Sequence, residues 1–150
     1  QPIIGANFGA KQYERVKETM KIFIYGGTIL AALSWIPSMI CPKQLLSLFN
    51  VRKEIIEKGV LNFRMFYSIF ILFGIMIMSL TFFQSIGDGK KANIIVLFRQ
   101  LILFIPTILF LPKLFGSIAI WYAEPIVDFI IILIGLFLML KEMKKMDKEK

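Results

Sequence analysis

The sequence predicts an all-α membrane protein whose chain crosses a bilayer four times. Hydrophobic residues make up 57% of the 150 residues, which excludes an ordinary soluble domain. Four apolar runs, each long enough to cross a hydrocarbon core of about 30 Å, are separated by turn residues and clustered charges. We therefore expect transmembrane helices at about 22–41, 60–86, 92–111 and 118–140.

The first two predicted helices are joined by an amphipathic segment. The first run, Ile22 to Cys41, carries no formal charge and contains small residues such as Gly27 that permit close helix packing. Lys43 to Lys58 is predicted to form an interfacial turn, with Asn50 as the N-cap of the following helix. The second helix should end at the glycine-flanked turn around Asp88.

The last two predicted helices form a hairpin. The third contains Arg99, with Pro106 inside it and Pro112 at its end. A tight connection follows, in which Gly116 is the expected turn residue. The fourth helix leads into a charged tail, residues 141–150, which we expect to continue the helix into water on the cytoplasmic side.

The fourth helix carries two carboxylates, Glu124 and Asp128, within an otherwise apolar run. Their i, i+4 spacing places both on one helix face. A charge near the centre of a membrane helix costs about 2.5–3.5 kcal/mol, so such acids are expected to face a bundle interior, a cavity or a partner charge. They are candidates for proton, cation or substrate contact, but a structural ion pair between two helices explains them equally well. Pro125 between them predicts a kink or loosened turn near Trp121.

Arg99 is the predicted partner of Asp128. The third and fourth helices are expected to pack antiparallel around a turn near Phe115, which brings Arg99 and Asp128 within about 5 Å of the same level. Glu124 is displaced from that level by about 10 Å and is therefore expected to be the poorer partner. On this interpretation Asp128 is the structural acid and Glu124 is the more titratable one.

The composition excludes several kinds of chemistry. The chain has no histidine and a single cysteine, which excludes an intrachain disulfide, His-based catalysis and most zinc sites. It has no glycine-rich phosphate loop, nucleophile–base pair or metal-ligand spacing, so we expect neither an enzyme nor a bound cofactor or metal. The many phenylalanines are interpreted as core or lipid contacts, and Trp35, Trp121 and Tyr122 as anchors at the membrane interface.

The distribution of basic residues predicts the orientation in the membrane. The net charge of +8 is more readily explained by basic loops than by a nucleic-acid partner. Eleven Lys and Arg residues lie on the side that holds both termini, and six lie on the other side. We therefore expect a multi-pass protein of the cell membrane with both termini in the cytoplasm and Lys43 to Lys58 outside.

Three stretches carry a resemblance to the multidrug and toxic compound extrusion (MATE) transporters. They are QPIIGANFGAKQYERVKETMK, FFQSIGDGKKANIIVLFRQLILFIPTILFLP and LFGSIAIWYAEPIVDFI. In order, they resemble the end of the family's eighth helix with the lead into the ninth, the tenth-to-eleventh helix region, and the start of the twelfth. The resemblance implies that residues 1–150 are part of the C-terminal six-helix lobe of a twelve-helix transporter, from the end of helix 8 through helices 9–12.

The same resemblance implies a function. MATE transporters export drugs and other amphipathic organic cations across the cell membrane in exchange for Na⁺ or H⁺. The implied partners are small organic cations, membrane lipid and the N-terminal lobe of the same protein, without which this chain is expected to be inactive. Two other interpretations stay open at this point: a flippase for lipid-linked oligosaccharides with the same general architecture, and a membrane assembly subunit that does not transport.

Overall fold

A computed structural model describes residues 1–49 and 52–148, and every regular element among them is helical. Four segments of the described chain are long and apolar enough to cross a membrane, which confirms the predicted class: Tyr13–Ile40, Lys53–Ser85, Gly89–Phe115 and Ser117–Lys148. The α-helices are α1 (Pro2–Gly9), α2 (Tyr13–Ile40), α3 (Pro42–Ser47), α4 (Lys53–Tyr67), α5 (Phe73–Ser85), α6 (Gly89–Leu97), α7 (Ile105–Phe115) and α8 (Ile120–Lys148).

The spans are longer than the apolar runs that predicted them. α2 begins well before residue 22, because the charged stretch ahead of the apolar run consists of good helix formers such as Glu14 and Lys17. α8 continues through the charged tail to Lys148, and the final two residues lie outside the described part of the chain. Both helices therefore project beyond the hydrocarbon core.

The second span is interrupted, whereas one continuous helix was predicted for residues 60–86. α4 and α5 are separated by a 3₁₀ turn at Phe70–Leu72. The indole Nε1 of Trp35 donates a hydrogen bond of 3.2 Å to the carbonyl of Ser68 at this break. The bond satisfies one of the carbonyls that the last turn of a helix leaves without a partner, so Trp35 stabilises the break. The role of Trp35 as an interface anchor stays a prediction.

The connection that was predicted as an interfacial turn contains a short helix of its own. α3 starts at Pro42, where the missing backbone N–H of proline is harmless because first-turn amides have no intrahelical acceptor. The predicted N-cap Asn50 lies outside the described residues.

The third span changes helix type around Arg99. Residues Phe98–Phe104 form a π-helix between α6 and α7. Pro106 accounts for it, because proline donates no hydrogen bond and its ring clashes with the carbonyl four residues earlier, so the preceding turns widen. Pro112 was predicted to end the helix but lies inside α7. In a membrane helix, neighbouring groups can satisfy the backbone groups that a proline leaves without a hydrogen bond. The helix ends at Phe115, and the next residue, Gly116, has a φ of 82° that suits glycine.

α5 occupies the centre of the bundle. It contacts both α2 and α8, and its Phe82 and Phe83 are fully buried. A Cβ atom added to Gly74 would lie 2.7 Å from the backbone carbonyl carbon of Gly27, so α2 and α5 approach at a distance that only glycine permits. Gly26, in contrast, has nothing within 4 Å of such an atom. Gly27 is therefore an interface residue and Gly26 is not.

The start of α2, the α5–α6 turn and the end of α8 meet at one end of the bundle. Lys91 Nζ lies 2.7 Å from Asp88 Oδ2 and 3.1 Å from Glu142 Oε2, and Lys17 pairs with Asp147. Asp88 also caps α6 by accepting a 3.2 Å hydrogen bond from the backbone N–H of Lys91. Bonding to the Lys91 side chain, together with this backbone bond, lowers the pKa of Asp88. The segments that were predicted to share one side of the membrane therefore lie at the same end of the molecule.

Candidate functional site

A cluster of three charged side chains joins the third and fourth spans. Arg99, on the π-helix, donates from Nε to Asp128 Oδ1 at 2.6 Å. Its Nη2 lies 2.6 Å from the same oxygen and donates to Glu124 Oε1 at 3.0 Å. One guanidinium thus holds two carboxylates, an arrangement for which the planar fork of arginine donors is well suited.

The local sequence explains why these groups meet. Glu124 and Asp128 are one turn apart on α8, so their carboxylates project from the same face. α8 runs through both Trp121 and Pro125 as α-helix, so the loosened turn expected near Trp121 is not found. A 3₁₀ turn, Ser117–Ala119, lies between Gly116 and the start of α8. The π-helix places Arg99 opposite that face.

The structure contains the predicted pair of Arg99 with Asp128, and Glu124 is the more distant and more exposed partner, as expected. Glu124 nevertheless lies within hydrogen-bond distance of Arg99, which the expected displacement of about 10 Å did not predict. The prediction assumed a uniform rise of about 1.5 Å per residue on both sides of the turn. The 3₁₀ turn before α8 rises by about 2.0 Å per residue and moves Glu124 farther from the connection along the helix axis. The wider turns of the π-helix shorten the axial distance from the connection to Arg99. Both departures bring Glu124 towards the level of Arg99.

The three side chains differ in their access to the surroundings. The side chain of Asp128 is 12% exposed, that of Arg99 is 22% exposed and that of Glu124 is 36% exposed. Asp128 accepts a hydrogen bond from Nε of Arg99 and lies 2.6 Å from Nη2 as well, whereas Glu124 has a single contact with Arg99, the 3.0 Å hydrogen bond from Nη2. Glu124 is therefore the acid that an incoming ion or ligand reaches more readily.

Aromatic side chains line the space beside the two acids. A cavity of about 120 Å³ is bordered by both carboxylates and by Phe66, Phe70 and Phe73. An adjacent cavity of about 190 Å³ shares Glu124 and Phe66, and its other lining residues include Phe104 and Trp121. The rings of Phe66 and Trp121 contact each other edge to face, with centroids 6.4 Å apart.

We call the rings beside the two acids, Phe66, Phe70, Phe73, Phe104 and Trp121, the aromatic wall. The sequence analysis interpreted such rings only as core, lipid or interface contacts and did not predict that they line the site. The signal that points to it is the spacing Phe63, Phe66, Phe70 and Phe73, which follows one helix face. Aromatic faces attract cations, and a carboxylate beside them adds a full negative charge. The site therefore suits an apolar cation better than a neutral or anionic ligand.

Within residues 1–49 and 52–148, no group of three or more His, Cys, Asp or Glu side chains is placed to hold a metal ion. The charge cluster contains only two carboxylates, and a guanidinium already occupies the position between them. A proton, a monovalent cation or an organic cation fits this donor set better than a tightly coordinated divalent metal.

The chain is similar in sequence and in structure to members of one transporter family. The MatE family model matches residues 1–110. A structure of the MATE multidrug transporter DinF-BH, solved as a ligand complex, is 35% identical to this chain and superimposes with a TM-score of 0.84; the match covers 93% of this chain and 31% of that one. No curated protein matches the chain.

Two further solved structures share the fold. An inward-facing conformation of a multidrug resistance MATE family transporter of the MOP superfamily is 19% identical with a TM-score of 0.85, covering 97% of this chain and 34% of that one. A MATE protein in complex with MaL6 is 18% identical with a TM-score of 0.86, covering 97% and 33%. The chain therefore spans about a third of the length of the structures it matches.

Proposed function

The chain belongs to the MATE family, and from this premise we propose that it is the last third of a transporter that exports organic cations in exchange for Na⁺ or H⁺. Four spans in about a third of the length fit four helices of a twelve-helix fold. The relatives are multidrug transporters, in keeping with the expectation that the chain is not an enzyme. No observation favours an oligosaccharide flippase or a non-transporting assembly subunit.

The charge balance of the cluster is the observation that carries this proposal. Arg99 supplies one positive charge against the two negative charges of Glu124 and Asp128, which leaves one negative charge beside the aromatic wall. An unbalanced charge is costly in the membrane interior, so the site favours the uptake of one positive charge. A proton, Na⁺ or an organic cation can each meet that need, and occupation by one opposes occupation by another. Such competition is what exchange requires.

The two acids have separate roles in this proposal. Asp128 is the more enclosed acid and lies 2.6 Å from two nitrogens of Arg99, so it fixes α8 against the third span. Glu124 is more exposed and borders both aromatic cavities, so it carries the exchangeable charge. The coupling ion contacts Glu124, and no cofactor is needed.

Membership of the family also supports a proposal for where the chain lies within the whole protein. We assign residues 1–150 to the C-terminal lobe, from the end of helix 8 through helices 9–12, with the N-terminal lobe as the necessary partner. Both termini lie in the cytoplasm, and the connection around α3 lies outside. Alternating access requires two halves that move against each other, so vesicles that contain only residues 1–150 should show no efflux. Efflux from such vesicles would overturn the requirement for a second lobe.

Transport by the full-length protein in proteoliposomes tests the proposal. The probe is ethidium, a fluorescent aromatic cation of the class that the site suits. We expect ethidium to accumulate in the vesicles when an outward-directed gradient of H⁺ or of Na⁺ is imposed. Glu124→Gln should abolish the dependence on that gradient. Glu57→Gln is the matched control, because Glu57 is an exposed acid outside the cluster and should leave transport unchanged.

Two results would contradict the proposal in different ways. If the wild-type protein moves ethidium equally well without either gradient, cation-coupled export is wrong for this protein. If the wild type is coupled and Glu124→Gln remains equally coupled, the function stands and the assignment of the exchangeable charge to Glu124 is wrong.

A further inference from the structure

A second, larger cavity lies away from the charge cluster, in a groove between the start of α2 and the end of α8. Its volume is about 730 Å³, which falls in the range of about 300–1,000 Å³ that is usual for small-molecule sites. Its floor is apolar and includes Met20, Ile24, Leu136 and Met143. The pairing of Lys17 with Asp147 closes the polar end of the groove.

Three further lysines border this groove. Lys21, Lys141 and Lys144 are exposed side chains on its rim. Among residues 1–49 and 52–148, no carboxylate forms an ion pair with any of them. The groove therefore presents three uncompensated positive charges above an apolar surface.

The position of the lysines along the helices places the groove at the membrane boundary. Lys21 directly precedes the apolar run of α2, which starts at Ile22, and Lys141 directly follows the apolar run of α8, which ends at Leu140. The lysines thus lie at headgroup level. Among the floor residues, Ile24 and Leu136 lie within the apolar runs, at the depth of the acyl chains, and Met20 and Met143 lie at the headgroup boundary.

We infer that this groove binds an anionic phospholipid, with its phosphate among the three lysines and an acyl chain along the apolar floor. A zwitterionic lipid would bring a cationic group to a rim that is already positive, so the charge favours a lipid with net negative charge. A soluble anion would leave the apolar floor in contact with water. The inference is independent of the transport mechanism and of which side of the membrane this end faces.

Native mass spectrometry of the full-length protein tests this inference. The protein is released from nanodiscs of phosphatidylcholine that contain a minor fraction of phosphatidylglycerol, and the retained lipids are counted. The combined variant Lys21→Gln, Lys141→Gln and Lys144→Gln should retain phosphatidylglycerol on the order of 100-fold more weakly, which corresponds to about fivefold for each lysine at headgroup level. Leu140→Trp, which fills the groove and keeps the lysines, should also reduce retention.

The matched control removes the same charge from the same end of the molecule. Lys11→Gln, Lys90→Gln and Lys148→Gln together replace exposed lysines that do not line the groove. This control should keep retention within about twofold of the wild type. Equal losses in both triple variants would mean that surface charge alone attracts the lipid, and the inference would be wrong. Retention of phosphatidylglycerol that is unchanged by the groove variants would also overturn the inference. That result is expected if another segment of the full-length protein covers the groove.

Discussion

Removal of both acids from the charge cluster should destabilise the protein by more than the sum of the single removals. With either Glu124 or Asp128 present, Arg99 keeps one carboxylate at hydrogen-bond distance. Only the combined variant Glu124→Gln/Asp128→Asn leaves the guanidinium without a negative partner in the cluster. The structure therefore predicts non-additivity, which a simple pair between Arg99 and Asp128 would not show.

The contacts give the expected magnitudes. A hydrogen bond to a charged group contributes about 1.5–3 kcal/mol, and partial exposure reduces that value. Asp128 accepts one short hydrogen bond, has a second guanidinium nitrogen 2.6 Å away and is mostly enclosed, so Asp128→Asn should cost about 2 kcal/mol. Glu124 accepts one bond and is more exposed, so Glu124→Gln should cost about 1 kcal/mol. The double variant strands a largely enclosed Arg99 that has lost both partners, so its cost should lie at about 4–5 kcal/mol, in the upper part of the range of about 3–5 kcal/mol that is typical of a broken buried pair. That cost exceeds the sum of the single variants, about 3 kcal/mol, by a coupling of about 1–2 kcal/mol.

Denaturant-induced unfolding of the full-length protein in mixed micelles measures these differences. Addition of Arg99→Met to the double variant should recover most of the lost stability, because it removes the stranded charge and keeps an apolar side chain of similar length. Glu57→Gln controls for the loss of a carboxylate elsewhere. Additivity of the two single variants within about 0.5 kcal/mol would refute the shared-arginine arrangement.

Three further predictions follow from other parts of the fold. Gly74→Ala should destabilise the bundle by about 1–3 kcal/mol in the same unfolding assay, because its Cβ would meet the backbone of α2, whereas Gly26→Ala should not destabilise it. Because the pKa of Asp88 is lowered in the folded state, the ionised carboxylate stabilises the protein at neutral pH, and this contribution should be lost as the pH falls below about 4. The difference in unfolding free energy between wild type and Asp88→Asn should therefore shrink in acid. A difference that stays constant with pH would contradict this. In a Cys41→Ser background, a cysteine at the exposed position Ser47 should react with impermeant reagents from outside the cell, and labelling only from inside would reverse the proposed orientation.

The class and order of the helices were predictable from the sequence because a long apolar run in a membrane has few stable structures other than a helix. The bounds were less predictable. Hydropathy marks where the chain enters the hydrocarbon, but the charged helix formers around Lys17 and Lys141 carry α2 and α8 farther. The break at Phe70–Leu72 is accompanied by a hydrogen bond to Ser68 from Trp35, which lies on another helix. No local pattern reveals such a tertiary contact.

The site was predictable in part for similar reasons. The i, i+4 spacing of Glu124 and Asp128 and the level of Arg99 required only helix geometry. The contact of Arg99 with Glu124 required the π-helix and the 3₁₀ turn, which alter the rise along each side of the hairpin. The aromatic wall depends on how α4 is rotated about its axis, and phenylalanine gives no polar signal to show which face meets the acids. Pro106, the cause of the π-helix, was visible in the sequence but its effect on Arg99 was not.

The central claim is that Glu124 carries the charge for which the organic cation and the coupling ion compete. The most direct measurement is the equilibrium affinity of the purified full-length protein for ethidium as a function of pH and of Na⁺ concentration, in the wild type and in Glu124→Gln. The account predicts that wild-type affinity falls as either H⁺ or Na⁺ increases, and that Glu124→Gln binds more weakly with no such dependence. An ion dependence in Glu124→Gln equal to that of the wild type would contradict the account.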